Sequence, residues 1–165
     1  MTRQEITEFY RKHNGRLYNI SLRILKDSDE AEEVMQDTIL KFVSSEGKFG
    51  SEAQVSAWLA RTCIRASIDR LRSRKREEAF LEDYARQEET EEPAEEQLQG
   101  PLPDVMQIRA AMERLPEPYR LVLNLVLIEG LDYGEIAAMT GRKETTLRSL
   151  FARGKNKLTV ILNQI

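Results

Sequence analysis

A glutamate-rich stretch near the middle of the chain limits what this sequence can fold into. Residues 88–96 contain six glutamates and no basic residue, and Gly100, Pro101 and Pro103 follow shortly after. Like charges repel and extend such a backbone, and nothing in the stretch can be buried in a core. The sequence therefore predicts two small modules, 1–78 and 106–165, joined by a flexible acidic linker at 79–105. A plain solvated spacer and a linker with a function of its own both stay open.

The formal net charge of -3 conceals opposite charges along the chain. The linker carries nine acidic residues and one basic residue, whereas residues 1–78 carry 15 basic and 13 acidic residues. Residues 106–165 carry nine basic and six acidic residues. Two mildly basic modules therefore flank a strongly acidic segment, and this asymmetry permits polyanion binding despite the negative total.

Helical periodicity dominates both modules, so the fold class is predicted to be all-α. Glycine and proline are scarce outside the linker, and no stretch shows sustained period-2 alternation. In the first module we expect one helix over the early residues, with a potential break at Asn14–Gly15. A second helix is expected after an Asp29 N-cap, and a third from about 52 to 76.

The second module is predicted to contain a helix-turn-helix. Its four expected helices cover residues 105–115, 118–129, 133–139 and 144–162. The helix over 118–129 is apolar nearly all round and should be the buried centre, with Gly130 ending it. Asp132 and Glu135 form a capping-box-like start for the short third helix. A turn at Thr140–Gly141 then leads into a longer basic helix, which is the helix-turn-helix arrangement.

The residue inventory argues against catalysis. The chain has one cysteine and one histidine, and it lacks a glycine-rich phosphate loop and a Ser/His/Asp set. His13 is expected on a helix surface, and Cys63 is expected to be a buried structural thiol. We therefore expect no enzyme activity, metal, cofactor or small-molecule substrate. No run approaches a membrane span and no signal peptide is visible, so we expect a soluble cytoplasmic protein without membrane insertion.

The predicted third helix of the first module carries a dense run of basic residues. Residues 61–76 contain seven basic side chains and one acidic residue, Asp69. Arg61, Arg65, Arg72 and Arg76 follow helical spacing on the face opposite Trp58. A row of guanidinium groups on one helix suits a nucleic-acid phosphate backbone, although a solvated cationic face has the same pattern.

The last helix of the second module carries another basic cluster. Its inward seam is expected to be Leu147, Phe151, Gly154 and Leu158, which leaves Thr145, Arg148, Ser149 and Ala152 facing outward. A helix that presents arginine and small polar residues can read base edges in the DNA major groove. Lys143 is a poor N-cap, so the sequence leaves open at which residue this helix begins.

Several motifs resemble those of one family, the extracytoplasmic-function bacterial sigma factors of the sigma-70 superfamily. Residues 29–37, DEAEEVMQD, resemble the polymerase-binding signature of that family. Phe49–Gly50, Ala57–Leu59 and Ile68–Arg72 resemble its DNA-melting region. Residues 115–158 resemble its second domain, including YGEIA at 133–137 and TLRS at 146–149. The resemblance covers nearly the whole chain except the linker, but Arg65, Arg142, Lys143 and Leu150 depart from the usual residues.

The resemblance implies a sigma factor that binds core RNA polymerase and promoter DNA. It implies that the first module binds polymerase and melts the minus-ten element, and that the second reads the minus-thirty-five element. The implied polymerase contacts are Glu33, Gln36, Asp37 and Lys41. The implied minus-ten contacts are Lys48, Phe49, Arg61, Arg65, Arg72, Lys75 and Arg76. The implied minus-thirty-five contacts are Arg142, Lys143, Thr145, Thr146, Arg148, Ser149 and Arg153.

Two further hypotheses follow from the resemblance. The acidic linker could occupy the positively charged nucleic-acid path of polymerase, and deletion of residues 88–96 would test this. Many relatives are held inactive by an anti-sigma factor, and the sequence leaves open whether this chain has such a partner.

Two other classes of protein share parts of the pattern. A response-type regulator has a similar C-terminal helix-turn-helix, but it does not account for the acidic helix and the Trp-led basic helix of the first module. A helical adaptor could use its basic faces to bind acidic proteins. Promoter binding without polymerase would favour the regulator, and a salt-insensitive protein complex without DNA would favour the adaptor.

Overall fold

The computed structural model describes residues 1–45, 50–74 and 95–164, and every regular element in these ranges is helical. This confirms the all-α prediction. The chain divides into two compact units, Met1–Arg74 and Lys75–Ile165. Each unit has its own buried apolar residues, and each is described below by itself.

Unit 1 is a bundle of three helices: α1 (Arg3–Leu25), α2 (Ser28–Ser44) and α3 (Glu52–Ser73). Each helix contacts the other two. The core consists mainly of aliphatic side chains at helical spacing: Leu17, Ile20, Ile24, Val34, Met35, Ile39, Leu59, Ile64, Ile68 and Leu71. Burial of such a stripe supplies most of the stability of a small bundle.

The helix ends of unit 1 correct two predictions. Asp27, not Asp29, is the N-cap of α2, because its extended backbone lets its carboxylate accept a hydrogen bond from Glu30 N at 2.9 Å. Asp29 instead lies in the first turn of the helix. Helix α1 also passes through Asn14 and Gly15 without a break, since tertiary packing overrides the weak helix preference of these residues.

Two polar side chains in the core of unit 1 tie α1 to α3. Ser67 Oγ donates to Ser21 Oγ at 2.9 Å, and Cys63 Sγ donates to the Leu17 carbonyl oxygen at 3.3 Å. Cys63 is fully buried, which confirms that it is a structural thiol. Because buried polar groups are costly when unpaired, these contacts also favour one register of α1 against α3.

Unit 2 contains α4 (Val105–Glu113), α5 (Glu117–Leu123), α6 (Tyr133–Thr140) and α7 (Glu144–Asn163). Helix α5 continues directly into a π-helical turn, Asn124–Ile128. The predicted helix over 118–129 is therefore not regular throughout. Nor is it buried all round, since Leu127 and Ile128 at its end are exposed.

Helix α7 packs closely against α5 at Gly154. A β-carbon added at Gly154 would lie 3.2 Å from Tyr119 Cβ and 3.4 Å from two atoms of Leu123. Tyr119 and Leu123 are fully buried, so the two helices leave little room for a larger residue. This close approach fixes α7 to the core and determines which of its faces points outward.

Part of the predicted linker is extended and bound to α7. Residues 79–94 lie outside the described residues, whereas 95–104 are described and non-helical. Asn156 and Asn163 of α7 hydrogen-bond the backbone between residues 96 and 99. Asp104 then forms a capping box with Gln107 and starts α4.

Candidate nucleic-acid interface and the outer face of α2

The outer face of α2 combines charged residues with one exposed leucine. Glu33, Gln36, Asp37 and Lys41, the predicted polymerase contacts, are all exposed. Their spacing places them on one side of the helix. Leu40, which was not among the predicted contacts, lies on the same side with 64% of its surface exposed. An apolar residue among charged positions is the pattern that could have identified it.

Two arginines at the C-terminal end of α3, Arg70 in its last turn and Arg74 at its C-cap, bind acidic residues of α2. Arg70 Nη1 donates to Glu33 Oε2 at 2.7 Å, and its Nη2 lies 3.8 Å from Asp37 Oδ2. Arg74 pairs with Glu30 and donates to the Leu25 carbonyl oxygen. The hydrogen bond to Glu33 is the main cause that raises the pKa of Arg70. These two arginines therefore hold α3 against α2.

The remaining described arginines of α3 point away from the bundle. Arg61, Arg65 and Arg72 are exposed, and their spacing of four and seven residues keeps them within a narrow arc of the helix. Together they form a cationic strip, defined here as Arg61, Arg65 and Arg72. Lys48, Phe49, Lys75 and Arg76, also predicted to contact DNA, lie outside the described residues.

An aromatic cluster lies between α1, α2 and the start of α3. The Phe9 and Phe42 rings stack with centroids 4.5 Å apart, and the Trp58 ring lies 6.0 Å from that of Phe42. His13 is half-buried against Phe9, with ring centroids 4.5 Å apart, rather than fully on the helix surface. Burial is the main cause that lowers the pKa of His13, and Lys12 lowers it further.

In unit 2 the turn between α6 and α7 has the expected helix-turn-helix form. Asp132 caps α6 by accepting from Glu135 N at 2.8 Å, and Gly141 ends it with a φ of 73°. Only a residue that tolerates a left-handed backbone fits this position easily. Lys143 stands at the N-cap of α7 without a side-chain capping bond, and α7 begins at Glu144.

The outward row of α7 contains several of the predicted DNA contacts. Thr145, Arg148, Ala152 and Lys155 are exposed at spacings of three, four and three residues. Thr146 and Ser149 flank this row and are half-buried. We call Thr145, Arg148, Ser149 and Ala152 the reading face. Arginine, hydroxyl and methyl groups on one helix face can contact base edges and the thymine methyl group.

Two neighbours position Arg148. Its guanidinium carbon lies 5.2 Å from the centroid of the Tyr133 ring, and its Nη2 lies 3.8 Å from Glu144 Oε1. The Tyr133 ring in turn contacts Phe151 edge-on. Stacking on an aromatic ring reduces the freedom of a long side chain and leaves its polar edge available. This role of Tyr133 was not predicted from the sequence.

The three remaining predicted contacts of unit 2 differ from one another in their exposure to solvent. Arg153 is only 6% exposed, and its Nε donates to Ser149 Oγ at 3.3 Å. Arg142 is half-buried and Lys143 is exposed at the start of α7. Arg153 therefore belongs to the inner side of α7 in this structure, whereas Lys143 is accessible.

Within residues 1–45, 50–74 and 95–164, no group of three or more His, Cys, Asp or Glu side chains could hold a metal ion. Among the same residues, no helix is both long enough and apolar enough to span a membrane.

Family models match both units. The model described as "Sigma-70 region 2" matches residues 9–77, and the model described as "Sigma-70, region 4" matches residues 105–158. The first match contains α2 and α3, and the second contains α4 to α6 and most of α7. The outer face of α2, the cationic strip and the reading face all lie within the matched segments.

Several curated proteins are similar to this chain along most of its length. The "ECF RNA polymerase sigma factor SigE" of Mycolicibacterium smegmatis is 33% identical over 92% of this chain and 59% of its own length. The "ECF RNA polymerase sigma factor SigM" of Mycobacterium tuberculosis is 28% identical over 99% of this chain and 80% of its own. SigM of Bacillus subtilis is 25% identical, with 96% of each chain covered. This chain thus spans less than two thirds of SigE but most of both SigM proteins.

A solved structure is similar in fold. The sigma factor RpoE of Bartonella quintana, crystallised in complex with the anti-sigma factor NepR, aligns with a TM-score of 0.54. The alignment covers 96% of this chain and 97% of that chain at 22% sequence identity.

Proposed function

The chain belongs to the extracytoplasmic-function group of sigma-70 family RNA polymerase sigma factors, and from this we propose how it directs transcription initiation. We propose three functional segments: residues 1–78 for polymerase binding and minus-ten melting, 79–105 as an acidic linker, and 106–165 for minus-thirty-five recognition. The observation that carries the proposal is the helix-turn-helix in which Tyr133 orients Arg148 on the exposed face of α7.

In unit 1 the outer face of α2 is the proposed binding surface for core RNA polymerase. Leu40 is its apolar centre, and Glu33, Gln36, Asp37 and Lys41 surround it. Protein interfaces commonly gain most of their affinity from a few apolar or aromatic anchors within a polar rim. An exposed leucine among polar residues is suited to this role.

The cationic strip of α3 is the proposed contact for the minus-ten DNA. Its three guanidinium groups can neutralise phosphates along one strand and give salt-dependent affinity. Lys75 and Arg76 would extend the strip, and Lys48 and Phe49 would hold an unstacked base. These four residues stay predictions from the resemblance.

In unit 2 the reading face of α7 is proposed to enter the major groove at the minus-thirty-five element. Arg148 is the proposed base contact, and Thr145 and Ser149 provide hydroxyl groups beside it. Thr146, Arg142 and Lys143 are proposed to position the helix on the backbone. The buried Arg153 is not part of this surface as the free chain presents it.

The remaining partners follow from the same assignment. We propose that the chain has no catalytic activity or cofactor of its own and acts in the cytoplasm, where core RNA polymerase carries out the chemistry. RpoE of Bartonella quintana was crystallised with an anti-sigma factor. We propose that an anti-sigma factor also regulates this chain. The proposed passage of the linker through polymerase rests on residues 88–96, most of which lie outside the described residues.

The first experiment measures binding of the full chain to bacterial core RNA polymerase, followed by promoter-directed transcription. The wild-type chain should bind and start transcription at discrete sites. Leu40→Ser should weaken polymerase binding by about tenfold with only a small loss of stability, because most of the Leu40 side chain is already exposed to water. Leu102→Ser is the matched control, since Leu102 is also exposed and lies outside α2.

Two outcomes would count against the proposal. Unchanged polymerase binding by Leu40→Ser would remove the outer face of α2 from the interface. Tight promoter binding by the free chain, with no effect of polymerase on transcription start, would instead favour a DNA-binding regulator.

A further inference from the structure

An extended segment of the acidic region is attached to the side of α7. Asn156 Oδ1 accepts from Glu96 N at 3.2 Å, and Asn163 Oδ1 accepts from Gln99 N at 2.8 Å. Asn163 Nδ2 also donates to the Gln97 carbonyl oxygen at 3.0 Å. The two asparagine amides therefore hydrogen-bond the backbone of residues 96–99. We call residues 95–99 the strap.

The strap runs parallel to α7, and its N-terminal end lies toward the reading face. Its Gln99 end is bound at Asn163 and its Glu96 end at Asn156. Seven residues of helix rise about 10 Å, and three residues of extended chain cover about the same distance, so the two lengths match. Followed from Gln99 toward Glu95, the chain therefore runs along α7 in the direction of Arg148.

The acidic end of the strap lies beside the proposed DNA contacts. Glu95 and Glu96 line a surface depression on α7 whose other walls include the following residues: Arg148, Ser149, Ala152, Arg153 and Lys155. Both glutamates are exposed, so their carboxylates are accessible at this surface. A DNA phosphate approaching the same depression would meet two negative charges next to the arginine that attracts it.

We propose that the strap is an intramolecular competitor of DNA, in which Glu95 and Glu96 occupy the edge of the reading face and lower its affinity for duplex DNA. This inference rests on the proposed function of α7. Solvent-exposed hydrogen bonds are individually weak, so DNA of the right sequence, or polymerase bound to the chain, can displace the strap. The free chain then binds DNA poorly by virtue of its own sequence.

The test measures binding of the full chain to a short, fluorescently labelled duplex of mixed sequence by fluorescence anisotropy at low salt. Glu95→Gln with Glu96→Gln should raise affinity by roughly 3- to 10-fold, because two repulsive charges are removed. Asn163→Ala should raise affinity in the same direction without changing the charge, because it removes two of the three hydrogen bonds. Both gains should shrink at physiological ionic strength.

Glu113→Gln with Glu129→Gln is the matched control, since it makes the same charge change in unit 2 at residues that do not line the depression. Equal gains from this control would overturn the proposal, because they would show only the effect of net charge. No gain from the Glu95 and Glu96 pair, or none from Asn163→Ala, would overturn it as well.

Arg148→Ala in the wild-type and Glu-to-Gln backgrounds separates failure of the strap from failure of the proposed function. If Arg148→Ala weakens DNA binding in both backgrounds while the strap variants bind like wild type, α7 reads DNA and the strap does not compete. If Arg148→Ala has no effect in either background, the reading face itself is wrong and the inference fails with it.

Discussion

At the scale of single residues, Arg148 lies against the Tyr133 ring and beside the Glu144 carboxylate. Arg148→Ala should reduce affinity for the preferred promoter by about 1–3 kcal/mol and relax preference at one base pair. Duplexes selected from a random pool with polymerase-bound wild-type protein provide the probe. Lys155→Ala, on the same exposed row, is the control and should weaken binding to all sequences alike. A uniform loss for Arg148→Ala would make it a phosphate contact.

His13 gives a second prediction at this scale. Burial, Lys12 and Arg16 lower its pKa, while Glu52 opposes them, so protonation favours the unfolded chain. The stability contribution is present above the unfolded pKa of about 6.5 and is lost as pH falls below it. In the His13→Gln variant, the free energy of unfolding of unit 1 should therefore fall less between pH 7.5 and 5.5 than it does in the wild-type protein. Denaturant titration at the two pH values measures this. Equal losses would contradict the burial of the imidazole.

The surroundings of a side chain were predictable from the sequence only where the helical pattern determines whether that side chain is buried or exposed. The pattern correctly placed Cys63 inside and Arg61 outside. It did not show that Arg70 and Arg74 bind α2, because these pairs join positions far apart in the chain. It also did not single out Leu40, which lies outside the buried stripe of α2. Single exposed apolar residues are common on protein surfaces, so periodicity alone does not select one as a contact.

At the scale of helices, two aspartates near the start of α2 can be compared as N-caps by substituting each in turn. Asp27→Ala should lower the free energy of unfolding of unit 1 by about 1 kcal/mol, because Glu30 N loses its acceptor. Asp29→Ala, the control, should cost less, since Asp29 acts only through its charge near the helix N-terminus. A larger loss for Asp29→Ala would restore the cap that the sequence favoured.

The presence of each helix was largely predictable from the sequence, whereas the internal geometry of the helices was not. All seven α-helices of the described ranges correspond to helices expected from periodicity. The π-helical turn after Leu123 was not foreseen, because apolar periodicity does not distinguish a π-helical turn from a continuing α-helix. The strap was missed for a related reason: its hydrogen bonds use backbone groups, which every residue possesses.

At the scale of the whole molecule, the two units have separate cores, and the single tryptophan reports on one of them. Trp58 belongs to α3 in unit 1. Leu123→Ala should destabilise unit 2 by about 2–5 kcal/mol, because Leu123 is fully buried. The unfolding midpoint measured by Trp58 fluorescence should hardly move, whereas a lower transition should emerge in far-UV circular dichroism.

Ile64→Ala is the counterpart of that variant in unit 1, since Ile64 is equally buried. It should shift the Trp58 transition by a comparable amount. If Leu123→Ala moved the tryptophan transition as far as Ile64→Ala does, the units would unfold as one cooperative body. Division into two modules was predictable from charge and composition, because a run of glutamates cannot belong to either core.

The pairing of Arg70 with Glu33 and Asp37 has a consequence for building chimeras between relatives. A grafted α2 with a neutral residue at position 33 would leave an arginine of the neighbouring helix without its closest partner. A loss of promoter opening in such a hybrid would then come from a misplaced α3 and would be mistaken for a defect in polymerase docking. Grafts should therefore exchange α2 and α3 together, so that each acidic residue arrives with its own arginine.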